Sequence, residues 1–236
     1  MTKIYSYIIR VDDGAAPNPY GDICTLTICK PKIRKAADEG DWIIGTGSKN
    51  IRLRDGSKHD FSKSLVYAMK VTDKKTLPEY DKYCLKYLKI KIPNWKSKQF
   101  DKKMGDCIYD YAKSNNPIQR DGIHGKSNKR KDISGKYSLL SKYFYYFGSE
   151  PKLIPKKLYA LIHTTQGHKI FTDAKNTHKK SIKQFEEWIS KFDGSGVFPE
   201  PQLKYRFENN ADKDCRISCS NERLKNDTKD KAICAK

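Results

Sequence analysis

Ile4-Tyr5-Ser6-Tyr7-Ile8-Ile9-Arg10-Val11, then Asp12-Asp13-Gly14-Ala15-Ala16-Pro17-Asn18-Pro19-Tyr20-Gly21, then Ile23-Cys24-Thr25-Leu26-Thr27-Ile28-Cys29: these opening residues decide the reading of the fold. Two apolar strands flank a loop dense in Gly, Pro, Asn and Asp, residue types that each restrict or permit particular backbone angles. The first strand breaks strict alternation at Ile8-Ile9. In the second, Ile23, Thr25, Thr27 and Cys29 share one face, and Cys24, Leu26 and Ile28 the other. Cys24 and Cys29 therefore diverge, which argues against a joint metal site. The pair of strands reads as an opening hairpin that holds Asp12 and Asp13 beside the basic run Lys30-Pro31-Lys32-Ile33-Arg34-Lys35.

Outward from that block, Gly40-Asp41 reads as a turn into the strand Trp42 to Gly45, and Leu65 to Thr72 and Leu158 to His163 read as further strands. Leu77 to Lys89 places Tyr80, Cys84, Tyr87 and Leu88 on one helical face. Ser181 to Phe192 has the stronger helical spacing, with Ser181 and Gln184 as a capping box and Gly194 beyond its end. Residues 94–136 are polar and basic with little periodicity, an insertion with one short helix near Ile108 to Ala112. Strands joined by short turns, with helices between the later ones, predict an α+β fold: a small bent β-sheet or partly open barrel with inserted helices. Residues 1–207 read as a single domain, and 208–236 as a polar, flexible C-terminal tail.

The 236 residues carry 48 Lys plus Arg against 28 Asp plus Glu, a net +20. From Glu208 to Lys236 there are seven basic and six acidic residues, so about +19 belongs to the rest of the chain. Such a charge favours polyanions, although lysine-rich composition alone can produce it. Seven cysteines without a disulfide-like framework, and no apolar signal segment, point to a reducing cytoplasm. Cys215, Cys219 and Cys234 lack the spacing of a zinc knuckle and read as solvated thiols. Neither a metal nor a cofactor is expected.

The candidate functional residues come from four places. Asp12 and Asp13 fit a shaped polar site, though Asp-Gly is also ordinary Asx-turn chemistry, the favoured reading. Gly45-Thr46-Gly47-Ser48 follows a strand as phosphate-cradling loops do, but lacks the ending of a nucleotide-triphosphate loop. Lys49, Arg52, Arg54 and Lys58 lie nearby. His163-Thr164-Thr165-Gln166-Gly167-His168 offers acid/base candidates at a strand end, with a backbone-bonded structural histidine as the plainer alternative. Tyr143-Phe144-Tyr145-Tyr146-Phe147-Gly148 reads first as core filling and second as a stacking face.

Taken together, Tyr5-Ser6-Tyr7, the Asp12 to Gly21 loop, Cys24-Thr25-Leu26, Lys30 to Arg34, Gly40 to Ser48 and Leu65 to Thr72 resemble the nucleotide-modification-associated domain family, second type. Phe144 to Gly148 and Gln166-Gly167-His168 extend the resemblance to roughly residue 200. It implies a setting in bacteria or phage where nucleic-acid bases are modified or their modification is answered. It assigns no catalytic residues. A looser similarity, limited to the sheet, is to PUA-like base-binding domains.

The expectation is a nucleic-acid-binding protein that recognises or processes a modified nucleobase, with DNA ahead of RNA as partner. Asp12, Asn18, Tyr20, Trp42, Gly45, Ser48 and Gln166 would surround the base, and Arg34, Lys49 and Arg52 would hold phosphates. The alternative is a transferase or hydrolase acting on a free nucleotide or base, with His168 or His163 as general acid/base and Asp13 orienting it. A protein-interaction module whose basic face meets an acidic partner is a third reading.

Overall fold

Alternation in the first strand, Lys3–Ile8, sends Tyr5 and Tyr7 to one side of a sheet and Ile4 and Ser6 to the other. The computed structural model describes residues 1–204, apart from Arg54, Lys175 and Asp193 and the side chains of Asn176 and Thr177. The tail expected at 208–236, with Cys215, Cys219 and Cys234, lies outside the described residues. The large sheet runs in the order His168–Thr172, Lys3–Ile8, Trp42–Thr46, Ser64–Lys70, Tyr143–Tyr146, Gly196–Val197, with Lys152–Leu153 also pairing along Ser64–Lys70. Lys3–Ile8 is parallel to Trp42–Thr46 and antiparallel to His168–Thr172, placing Tyr7 opposite both Gly45 and His168.

One face of this sheet packs Tyr5, Tyr7, Ile43, Tyr67, Phe144 and Tyr146 against Cys24, Leu26, Ile33 and Leu139. Those partners come from the helix Pro31–Ala36 and from a three-stranded antiparallel sheet ordered Cys24–Leu26, Tyr137–Ser141, Asp73–Thr76. The opposite face, with Ile4, Trp42, Ile44, Tyr145 and Phe147, is covered by Ile182, Phe185 and Ile189 of the helix Asn176–Ile189 and by Leu158 and Leu161. The aromatic run therefore fills two cores by alternation. The fold is α+β with several sheets, and none of them closes into a barrel. Among the described residues no helix is long and apolar enough to cross a membrane.

Several elements differ from the sequence reading. The opening strands do not form a hairpin: Lys3–Ile8 lies in the large sheet and Cys24–Leu26 in the small one. The loop between them returns to bridge Asn18 with Thr25 instead. Leu158 to His163 is not a strand. Lys156–Leu161 is a 3₁₀ helix, in which a three-residue repeat buries both Leu158 and Leu161. The helix around Phe185 starts at Asn176, so Ser181 is not its cap. Near Ile108 to Ala112 there is a short strand, Tyr109–Asp110, paired with Ile118–Gln119. The helix Leu77–Tyr87 buries Tyr80 and Cys84 as expected but leaves Tyr87 exposed. Its cap is a true box, Thr76 Oγ1 accepting from Glu79 N at 3.4 Å and Thr76 N donating to Glu79 Oε2 at 2.8 Å. Residues 94–136 supply Met104, Ile108, Tyr109 and Ile123 to a third core cluster with Ile28.

Candidate thiol active site

Between the end of the strand Cys24–Leu26 and the start of the helix Pro31–Ala36 the chain turns through two left-handed residues, Cys29 at φ 57° and Lys30 at φ 39°. Residues with a Cβ adopt that region at a cost of roughly 1–2 kcal/mol each, so the surroundings must impose it. They do so from both sides. Cys29 N donates to Asp132 Oδ1 at 2.8 Å, and Cys29 O accepts from Arg34 Nε at 2.8 Å. Arg34 Nη2 and Nη1 reach the carbonyls of Asp132 (2.5 Å) and Tyr137 (2.6 Å), clamping the elbow to residues 132–137. Gly135 is required beneath this guanidinium, because a Cβ there would lie 2.4 Å from Arg34 Cζ.

The elbow sets Cys29 Sγ 3.4 Å from His124 Nε2, and His124 Nδ1 lies 2.5 Å from Asp132 Oδ2. Tyr109 donates its hydroxyl to the same Oδ2 at 2.8 Å. Asp132 thus uses one oxygen to fix the Cys29 backbone and the other to orient the imidazole. His124 and Asp132 are each 1 % exposed and Cys29 is 7 % exposed, so all three are buried and Cys29 is the least so. Burial alone would strip the proton from His124, but the charge of Cys29 and the hydrogen bonds of Asp132 and Cys29 outweigh it and raise the imidazole to about 10. Burial likewise opposes the Asp132 carboxylate, and the bond and charge of His124 overcome it, so this carboxyl lies below its usual range. An imidazolium facing a sulfur favours the thiolate. Nucleophile, base and orienting carboxylate are in the geometric relation of a covalent-catalysis triad.

The sequence-predicted residues are placed otherwise. Trp42 is buried on the opposite face of the large sheet, against Phe185 at 5.3 Å between ring centroids, with its Nε1 donating to Glu186 Oε1 at 3.0 Å. It lines a shallow cleft with Lys70, Tyr143 and Lys183, remote in the fold from the thiol. Asp12 accepts a hydrogen bond from Tyr146 Oη and one from Gln202 N at 3.1 Å; burial first, and the nearby Asp13 charge, raise it to about 7 despite those bonds. Asp13 forms the Asx turn, accepting from Ala15 N at 3.0 Å. The Asn18 amide is occupied by Met104 O and Lys91 Nζ, at 2.8 and 2.6 Å. Tyr20 is half-buried against Phe100.

Gly45 admits the Tyr67 ring, which would lie 2.5 Å from a Cβ there. That ring reaches across to bond Tyr7 Oη, 2.9 Å away. In the Gly45 to Ser48 loop one amide is already used, Gly47 N donating to Ser64 O, and Ser48 O accepts from Phe61 N, both at 3.0 Å. Arg34 is wholly buried and its guanidinium is occupied by carbonyls, so it is not a phosphate ligand. Lys49 is exposed, and Arg52 lies half-buried in the short strand Ile51–Arg52. Gln166 is exposed, with His163 and His168 half-buried beside it. Asp12, Trp42 and His168 do not share one hollow. Of the sequence-predicted set, Arg34 clamps the Cys29 elbow through the Cys29 carbonyl, and His168 lies within reach of the Lys30 charge.

His124 and Asp132 escaped the sequence reading because they sit in the segment without periodicity. The readable signal was Cys29-Lys30-Pro31, a cysteine at a strand end followed by the proline that opens a helix. Among the described residues no group of three or more His, Cys, Asp or Glu is arranged to hold a metal. No curated protein and no solved structure matches the chain. The family described as nucleotide modification associated domain 2 does, over residues 1–209, and the chain belongs to that family.

Proposed function

We propose that this chain is a cysteine-nucleophile hydrolase or transferase that acts on a nucleotide or nucleobase carrying an acyl-type group. The Cys29–His124–Asp132 array is the observation that carries this reading, and membership of a nucleotide-modification family names the substrate field. The sulfur attacks the electrophilic carbonyl carbon while the carbonyl electron pair moves to oxygen. Collapse breaks the bond to the leaving group, which takes a proton from His124, and a thioester remains on Cys29. Water or an amine then attacks, gives its proton to His124 and displaces the thiolate. Asp132 holds the imidazole with Nε2 towards sulfur throughout, and Tyr109 and the Cys29 amide hold Asp132.

The test is mass spectrometry of single turnovers across a panel of acylated nucleotides. A covalent increment on Cys29, absent in a Cys29→Ser variant of unchanged melting temperature, is expected. Full activity in that variant sinks the proposal. A reduced thiol suits the cytoplasm.

A second reading, a nucleic-acid-binding protein that recognises a modified base, is favoured by the +20 charge. DNA is its first partner, in the bacterial or phage setting that the family resemblance implies, and the looser PUA-like similarity agrees with base recognition. Binding of modified DNA with no turnover by any panel member would select it.

A further inference from the structure

The least buried member of the triad, Cys29, is followed at once by a half-buried lysine at the edge of a cation cluster that the catalytic reading leaves without a task. Lys30 Nζ stands 4.2 Å over the ring of Tyr7. Tyr7 is in register with His168 on the neighbouring edge strand, and the His168 ring stacks on Tyr5, with centroids 6.2 Å apart and planes 30° apart. The loop before His168 is pinned by His163 N, which donates to Ser6 Oγ at 3.1 Å. Lys32 projects from the helix that the elbow begins.

These groups feel one another. His168 is held below its ordinary value by burial and then by the positive charges of His163, Lys32 and Lys30. Among the described residues neither Lys32 nor His168 has a carboxylate partner. Cations gathered in this way repel, and a bound anion relieves the repulsion while restoring the proton to the imidazole. Lys30 joins the cluster directly to Cys29, the least buried residue of the triad, so an anion held there leaves the rest of its molecule free to turn towards the thiol.

The geometry points to Lys30, Lys32, His163 and His168 as a phosphate-binding rim, so that the substrate is a phosphate ester of a nucleoside whose reactive group enters towards Cys29. This rests on the thiol reading and deepens it, by excluding a free base or uncharged nucleoside as the preferred substrate. The phosphate can belong to a free nucleotide or to a nucleic-acid strand.

The experiment is an NMR pH titration of the His168 Cε1 proton in the full-length protein, alone and with inorganic pyrophosphate. Pyrophosphate is expected to raise the His168 midpoint by about half a pH unit or more, corresponding to roughly threefold tighter binding of the protonated form. Lys30→Gln/Lys32→Gln should weaken pyrophosphate roughly tenfold, and Cys29→Ser should leave the shift intact. An unmoved midpoint, or equal affinity in the lysine variant, overturns the rim. Selective alkylation of Cys29 by iodoacetamide reports on the thiol independently, so loss of one result without the other identifies which reading has failed. Repeating the titration with a nucleoside 5′-monophosphate and with a single-stranded oligonucleotide distinguishes the source: comparable affinities assign a free nucleotide, and much tighter binding of the strand assigns nucleic acid.

Discussion

Asp132 makes more of the site than any other residue, since its two oxygens serve the Cys29 amide, the His124 ring and the Tyr109 hydroxyl together. Asp132→Asn keeps the shape but removes the charge that helps hold His124 protonated. In the native protein, with His124 raised to about 10, Cys29 should be alkylated by iodoacetamide at a nearly constant rate between about pH 6 and 9. In the variant the rate should start lower and climb with pH as an ordinary thiol does, and a flat profile there would show that Asp132 has no electrostatic part. Arg34 is the second decisive residue. Arg34→Met removes a donor from the carbonyls of Cys29, Asp132 and Tyr137, of which Asp132 O keeps Gly135 N at 3.1 Å, an expected loss of about 2–4 kcal/mol in urea unfolding. Gly135→Ala, which drives a methyl into the same guanidinium, should lower stability and Cys29 reactivity together.

The elements show what pattern can and cannot reveal. Apolar runs bounded by turn residues located strands at Ile4 to Val11, Trp42 to Gly45 and Leu65 to Thr72, which the structure sets at Lys3–Ile8, Trp42–Thr46 and Ser64–Lys70, and helical spacing found Ile182, Phe185 and Ile189. Pattern failed where an element is too short to have a period, as at Tyr109–Asp110, and where three-residue repetition imitates a strand, as at Leu158 to Leu161. The false capping box at Ser181 and the true one at Thr76 have similar sequences and differ only in where the helix begins. Thr76→Ala should accordingly cost about 1 kcal/mol. Another element-level prediction concerns the segment 201–204, held by Gln202 N on the Asp12 carboxyl and by Leu203 N on Asp12 O at 2.9 Å. Burial raises Asp12 from 3.8 to about 7, so its folded form binds the proton more tightly than the unfolded chain does. That contribution is complete below about pH 4 and is lost as pH rises through 7. The melting temperature should therefore fall between pH 5 and 8 more in the native protein than in Asp12→Asn, and parallel curves would remove Asp12 as the cause.

At the scale of the whole molecule, composition made the excess of positive charge legible but not the thiol array. Charge is a sum over residues and survives any fold, whereas the triad joins Cys29 to His124 across 95 positions, a relation that no local pattern carries. The expected common hollow failed for the same reason: Trp42 follows the opening block that holds Asp12, yet strand alternation sends the indole to one face of the sheet while the carboxyl meets Tyr146 on the other. What the net charge does predict is salt dependence. If the two rim lysines each displace a counterion from single-stranded DNA, log affinity should fall against log salt with a slope of about −1.4, roughly sevenfold weaker binding between 50 and 200 mM. Lys30→Gln/Lys32→Gln should bring that slope close to zero, because both charged contacts are lost. A slope that stays steep in the variant would place the strand elsewhere on the basic surface, and a native slope near zero would leave the charge without a role in nucleic-acid binding. Fluorescence anisotropy with a labelled oligonucleotide, read at four or five salt concentrations for both proteins, measures the two slopes directly.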